Sequence, residues 1–511
     1  MKKLAVLILM VLSFFGYTFC QTYDYLDRNQ IKAMISSDGT LFNTSENGNQ
    51  SPCFEVPKGL GINSIYSAKL WIAGLDDIGK LRFSARTYSY LQDYYFGPIA
   101  DDYSSSAYKN RYNRVWKVNL SEIQYHIENF ENPDYEMPES FMNWPAKGDI
   151  SNGEAENLAP YYDFNNNGNY DPDNGDFPLI RGDQAIYFIY NDGRANESKT
   201  GLEIHGMAYC YNPSLGSVLP QTVFVNYRLI NRSSHNYHDL YAGMWTDFEL
   251  GYSDDDLFGS DSINQMMYVY NADNYDGNLD TIPFEGIYGS TPPVQGVVML
   301  NKEVYASVVV DCCFENIDTV VYNYLKGLWF NGQPMVINEI ITNYYASGYP
   351  ENGTGWISYA GYTRALISAG PYSLNKNEEI CVDVAFPYAR DFAGNNLTSL
   401  ALLREKAEAL VGFYDNTGFT CGYDPSAIQN YLSESVDVYC YPNPSTGIVN
   451  IDMSDIGETQ KIITVISSDG KLVNKVQTSD TIYNVKFLAK GLYLIVVESS
   501  GKRIVKKVNI M

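Results

Sequence analysis

Tyrosine restricts this chain more than any other residue. It occurs 45 times in 511 residues, beside 40 glycines and many Asn and Asp. A tyrosine ring covers a pleated surface while its hydroxyl stays in water, so an excess of Tyr favours strands over helices. With glycine and Asx residues available for turns, the composition predicts a mainly β, loop-rich exterior protein. Hydrophobic residues make up 45% of the chain and aromatics 14%, which fills packed cores and excludes a mostly disordered chain. The length exceeds what one core supports, so several domains are expected.

The first twenty residues follow a different pattern. Lys2 and Lys3 precede an apolar run over 4–15, too short to cross a bilayer, and small residues follow at Thr18 and Cys20. This predicts a signal peptide over 1–20, with Gln21 as the new N-terminus. A lipoprotein with acylated Cys20 is the rival reading, and Tyr17 and Phe19 fit it poorly. No later run approaches eighteen apolar residues, so no transmembrane helix is expected. Removing the leader takes two of the 35 Lys and Arg, leaving 33 against 60 acidic side chains, and moves the formal charge from −25 to −27. Such a surface repels nucleic acid and anionic membranes and attracts cations. Seven of the eight cysteines remain after cleavage. Their odd number leaves at least one thiol over, Cys312 and Cys313 are adjacent, and none of the spacing suits zinc.

Beyond residue 437 the pattern changes again. A turn-rich stretch over 441–447 leads into short strands. Asp469-Gly470 separates 461–467 from 471–476 as a hairpin signal, and Ser499-Ser500-Gly501 separates 491–498 from 502–510. This predicts a small immunoglobulin-like β-sandwich over 437–511. Its motifs are Pro442-Asn443-Pro444-Ser445-Thr446-Gly447, Asp469-Gly470-Lys471, Gly491-Leu492-Tyr493, and the basic last strand with Lys502, Arg503, Lys506 and Lys507. Together they resemble the type A C-terminal sorting domain of the type IX secretion system of Bacteroidota-type bacteria. The resemblance implies recognition by that machinery, with Pro442, Asn443, Pro444, Gly447, Gly491, Tyr493 and Lys506 as its sorting motif. It also implies export across the outer membrane, then release or attachment to surface lipopolysaccharide.

The body divides on sequence into a β-rich region over 21–180 and a second over 181–436. Strands are expected over 185–190, 221–230 and 296–300. Two segments have helical periodicity. Leu120, Ile123, Ile127 and Phe130 share one face behind Asn119 and Glu122. Leu400, Leu403, Ala407, Leu410 and Tyr414 share another over 396–415, started by Asn396 or Thr398. The predicted fold is a large β-rich body of sandwich type with two notable helices. Phe54-Glu55-Val56-Pro57, Leu70-Trp71-Ile72-Ala73-Gly74, Trp144-Pro145-Ala146, Gly182-Asp183-Gln184-Ala185 and Ser368-Ala369-Gly370-Pro371 resemble the bodies of an uncharacterised group of type IX cargo proteins. That similarity implies a location and assigns no reaction.

The clearest chemistry lies over 163–176. Asp163, Asn165 and Asn167 place oxygen ligands at alternate positions, Gly168 makes the sharp bend, and Asn169 offers a carbonyl and Asp171 a direct or water-mediated ligand. The twelfth position is Asn174 in place of Glu, so a bidentate ligand has to come from Asp173 or Asp176. Pro160, Pro172 and Pro178 disfavour flanking helices. The expectation is a bare Ca²⁺ loop, similar to those of dockerin-like and thrombospondin-repeat proteins, with a dissociation constant on the order of 10⁻⁴ to 10⁻³ M. A polar Asn-Gly turn would use the same residues.

A second acidic stretch runs through Asp247, Glu249, Asp254, Asp255, Asp256 and Asp261. Asp247, Asp254, Asp255 and Asp261 are its candidate metal ligands, with a solvated acidic loop as the alternative. His126, His205, His235 and His238 are too scattered for a zinc-protease motif, and no G-x-S-x-G elbow or P-loop occurs. His126 is expected on the polar side of the first helix. Arg181-Gly182-Asp183 reads as a turn before a strand. The preferred function is a calcium-stabilised surface or secreted protein for adhesion or recognition of glycans or proteins. A secreted hydrolase acting on polysaccharide or protein, and a structural surface-layer component, are the alternatives.

Overall fold

Along Thr222–Asn231 the side chains of Val223, Val225, Tyr227 and Leu229 enter one core, while Phe224 points the other way and stacks on Tyr209. This is the period-two alternation of a strand covered on both faces. It recurs across the computed structural model, which describes residues 22–510 except 47–48, 86–92, 194–197, 213–217, 279–285, 312–316, 362, 422–437, 457–459, 468–470, 488 and 500–501. The leader over 1–20 with Gln21, the Cys312-Cys313 pair, and the Asp469-Gly470 and Ser500-Gly501 turns lie outside the described residues.

Residues up to 423 make one compact unit and 424–511 another. In the first unit, one sheet runs in the order Tyr23–Leu26, Lys32–Ser36, Phe54–Glu55, Asn63–Asp76, Tyr237–Phe248, Arg364–Leu374, Ala306–Val309, with Leu81–Ser84 on Asn63–Asp76. The other runs Asp256–Asp261, Met266–Asn271, Val294–Met299, Glu379–Ala389, Thr222–Asn231, Leu202–Cys210, Gln184–Asn191, Tyr95–Phe96, with Trp116–Asn119 on Gln184–Asn191. Strands from both sides of residue 180 pair in each sheet, as with Ile72 opposite Ala242 and Val118 opposite Ala185. The two β-rich stretches of sequence are thus interleaved in one sandwich. The physical reason is visible in Asn63–Asp76. It is apolar on both faces, so it must be central, and its neighbour is Tyr237–Phe248.

Leu70, Ile72, Met244 and Ile367 from the first sheet meet Ile186, Phe188, Val225, Val384 and Phe386 from the second in one continuous core. Each outer face carries a helix. Trp71 and Trp245 stack at 6.2 Å beneath Asp318–Leu325, whose Val320, Val321, Tyr324 and Leu325 complete a second cluster. That helix has no side-chain cap, since Ile317 precedes it, and periodicity did not predict it. Asn396–Asp415 covers the other sheet with Leu400, Leu403, Ala407, Leu410 and Tyr414 all buried. Its cap is Asn395, one residue before Asn396, and it accepts the Leu397 and Thr398 N–H groups. The Cys381–Cys421 disulfide fastens the segment after this helix to Glu379–Ala389, while Cys53 and Cys210 are free thiols.

Leu120–Asn129 is helical as predicted, with Glu122 accepting the Asn119 N–H at 2.7 Å. His126 does not lie on a polar side. It is fully buried, 3.0 Å from the Tyr135 hydroxyl and against Phe141, because the segment after the helix folds back over that face.

The second unit is a small sandwich. Tyr439–Tyr441, Ile448–Asp452 and Ile482–Lys486 form three strands. Leu472–Thr478, Lys461–Ser467, Gly491–Ser499 and Lys502–Ile510 form four. Val449, Ile451, Val465, Val485, Ile495, Val497 and Val508 fill the space between them.

Candidate calcium sites and recognition pocket

The 163–176 loop is closed at its base by a short ladder, Tyr161 opposite Pro178 and Tyr162 opposite Phe177. Asn166 and Gly168 both have positive φ, 58° and 79°, and these two bends curl the chain around its own side chains. Asp163 accepts the N–H groups of Asn167 at 3.1 Å and Gly168 at 2.7 Å. Asp171 draws in three amides, Asn165 at 3.3 Å, Asn167 at 3.0 Å and Asn174 at 2.7 Å. These amides, Asn174 foremost, hold the Asp171 carboxyl below its ordinary range. Asp176 is buried and braces the loop by accepting Phe164 N–H at 2.9 Å and Asp171 N–H at 2.8 Å. Burial pushes its carboxyl up. Asn165, Asn167 and Asp171 therefore converge, and Asn169 gives its N–H to Asn167 Oδ1 at 2.7 Å. Turning the two amides about their terminal bonds would present oxygen in place of nitrogen to a hard cation.

The second acidic stretch is dispersed. Asp247 lies on a central strand, 3.5 Å from Arg364. Asp261 pairs with Arg404 and caps the turn at Ile263 and Asn264. Asp254 is exposed beside the Tyr252 hydroxyl. Asp255 is half-buried beside the buried Asp256 and Asp276, Glu249 also acts on Asp256, and Asp247 in turn acts on Glu249. Asp256 is fully buried. Its Oδ2 accepts Leu250 N–H at 3.2 Å and its Oδ1 has no hydrogen-bond partner. Glu249 Oε2 is also buried without a partner. Asp255 accepts Gly277 N–H at 3.1 Å, and Asp276 accepts the N–H groups of Tyr252 at 2.8 Å and of Tyr288. Burial raises all four, reinforced by Asp247 at Glu249, by Asp273 at Asp255, by Asp255 at Asp276, and by Asp255, Asp276 and Glu249 at Asp256: Glu249 to about 7, Asp276 to about 6, and Asp255 and Asp256 upward.

Asp76, Asp77 and His235 also converge within 4.8 Å. Arg82 already supplies the positive charge there, 2.7 Å from Asp76 and 3.0 Å from the His235 ring. Arg181 is buried on Asp383 at 2.6 Å and over the Phe419 ring, so the Arg181-Gly182-Asp183 tripeptide does not present its arginine to solvent.

At the edge of the first sheet a cavity of about 440 Å³ is lined by Tyr324, Trp329, Phe330 and Tyr345, two valines, Asp311 and Arg364. Trp356 packs edge-on against Tyr345 at 4.6 Å. Aromatic walls with one acidic and one basic group are the make-up of a small-ligand pocket. No sequence motif marks it, since its parts come from separate strands and loops.

In the C-terminal unit, Asn443 clamps the last strand. Its Nδ2 donates to Lys507 O at 2.8 Å and its Oδ1 accepts Asn509 N–H at 2.9 Å. Pro442 and Pro444 flank it with cis peptide bonds. Gly447 O accepts Phe487 N–H at 2.7 Å, and Tyr493 packs on Phe487 and donates to Ala489 O. Lys506 lies on the last strand, opposite Ile495, and Gly491 opposite Ile510. The motif residues thus secure the edge between the opening turn and the final strand.

Residues 439–511 match the family described as secretion system C-terminal sorting domain. No curated protein matches the chain in sequence. Among solved structures, a polysaccharide lyase is 10% identical, covering 64% of this chain and 35% of its own, with a TM-score of 0.19. PorZ, a bacterial surface component of the type IX secretion system of Porphyromonas gingivalis, is 9% identical, covering 94% of this chain and 50% of its own, with a TM-score of 0.14. The chain spans about a third and half of those two proteins respectively. Among the described residues no helix is long and apolar enough to cross a membrane. With its sorting domain at 439–511, the chain is a cargo of type IX secretion, exported to the outer cell surface or the extracellular space.

Proposed function

We propose that the exported body is a calcium-stabilised recognition protein whose aromatic pocket takes a glycan. The pocket carries this reading. Sugar rings present apolar C–H faces that stack on aromatic side chains, and their hydroxyls bond to charged groups such as Asp311 and Arg364. Among the described residues Asp311 is the one carboxylate in the lining, and the hydrolase alternative calls for a facing pair roughly 5 to 9.5 Å apart. Calcium at the 163–176 loop would tie the β-ladder at its base to the aromatic cluster of Phe130 and Phe164. Attachment to surface lipopolysaccharide after export belongs to the same proposal. The test is a glycan array probed with the full exported chain, wild type and Trp329→Ala. Binding that the substitution lowers at least tenfold supports the reading. Absence of any bound glycan, or equal binding by both proteins, contradicts it.

A further inference from the structure

We propose that Glu249, Asp255, Asp256 and Asp276 form a second cation site, separate from the 163–176 loop, and that its occupant is Ca²⁺. The inference shares with the loop reading only the premise that calcium reaches the exported chain.

The motivating observation is a bare oxygen. Asp256 is fully buried and its Oδ1 meets no donor, while the charges of Asp255, Asp276 and Glu249 act on the residue. Glu249 is half-buried, and its Oε2 is likewise without a hydrogen-bond partner. Among the described residues no Lys or Arg forms an ion pair with any of the four. Arg390, the basic group acting on Asp276, spends its guanidinium on the carbonyls of Tyr288, Ser290 and Thr291. The neighbourhood does supply arginine where a carboxylate needs it, since Asp247 has Arg364 and Asp261 has Arg404. A buried carboxylate with one oxygen bare and no counter-charge is destabilised in its ionised form, and a bound divalent cation would offset that penalty.

Backbone N–H groups fix the direction of three of the side chains. Leu250 holds one oxygen of Asp256 and Gly277 one oxygen of Asp255, leaving the second oxygen of each for a ligand. Tyr252 and Tyr288 hold Asp276. Among the described residues no three of these carboxylates place oxygens within 4.8 Å of one another, so a bound ion has to complete its shell with water or by turning side chains inward. All the donors are hard oxygens in an irregular arrangement, which favours Ca²⁺ over Mg²⁺ with its strict octahedron.

The test counts ions on the full exported chain, stripped of metal and titrated with CaCl₂ by isothermal titration calorimetry. Asp256→Asn, which keeps size and one acceptor, should remove one bound ion. Glu249→Gln should weaken the same ion at least tenfold while circular dichroism stays that of the wild type. Asp163→Ala with Asp171→Ala should remove a different ion. A single wild-type ion that Asp256→Asn removes and the loop variant keeps supports this site and sinks the loop reading. An ion count and affinity unchanged in Asp256→Asn overturn the proposal.

Discussion

The exposed loop over 163–176 and the buried group around Asp256 are both acidic, yet they solve the problem of charge in opposite ways. In the loop, water and three Asn amides surround Asp171, and Asp163 folds onto backbone N–H groups. That arrangement is satisfied as it stands, so a cation would add to a structure already formed. In the buried group, backbone donors reach one oxygen of Asp256 and leave the other bare. There a proton or a cation would relieve the bare oxygen. The acidic motif that is easy to read in sequence is therefore the better satisfied of the two.

The pH dependence of the metal-free protein probes this contrast most strongly. Folded Glu249 titrates at about 7 and Asp276 at about 6, both above their ordinary values, so the fold binds more protons than the unfolded chain between those limits. Their contribution is present at low pH and lost as pH rises through 6 to 7. In chelator, urea denaturation should give about 2–3 kcal/mol less stability at pH 8 than at pH 5, after allowing for the solvent that reaches Glu249. A flat profile would put the two regions on the same footing.

Substitution of one carboxylate in each region sharpens the comparison. Asp256→Asn should raise stability in chelator at pH 8 by about 1–3 kcal/mol, because it removes a bare buried charge, and should lower it once calcium is present. Asp171→Asn should have a small effect of the opposite sign in chelator, since it weakens three existing amide contacts. Thermal melts of both variants check the signs.

Glycine supplies the finest test. Gly251 and Gly168 have nearly the same φ, 74° and 79°. A Cβ at Gly251 would overlap the Asp276 carboxylate, whereas nothing lies within 4 Å of Gly168. Gly168→Ala should cost about 1 kcal/mol, the left-handed backbone alone, and Gly251→Ala about 2 kcal/mol or more. Equal costs would mean that the Asp276 carboxylate yields without penalty.

What was legible in the sequence follows from how local each feature is. The candidate ligands over 163–171 are neighbours in the chain, and their spacing is enough to place them together. The sorting domain is legible for the same reason, since its turns and strands succeed one another within seventy residues. The buried acidic group was not legible. Asp276 reaches it only because Tyr275–Asp276 pairs with Gly289–Ser290 and sets Asp276 beneath Tyr252, while Asp247 and Asp261 are claimed by arginines more than a hundred residues away. The helix Asp318–Leu325 is not legible because Ile317 gives no cap signal and Val320 and Val321 favour strands. The pocket aromatics are legible only as composition until the sheet edge gathers them.

Calcium dependence of stability in the full exported chain tests the account most directly. At pH 8, adding calcium to about a hundredfold over its dissociation constant should stabilise the fold by about 2.7 kcal/mol for each ion bound, seen as a melting midpoint that climbs with calcium and falls back in chelator. A midpoint that stays the same in calcium and in chelator would contradict it.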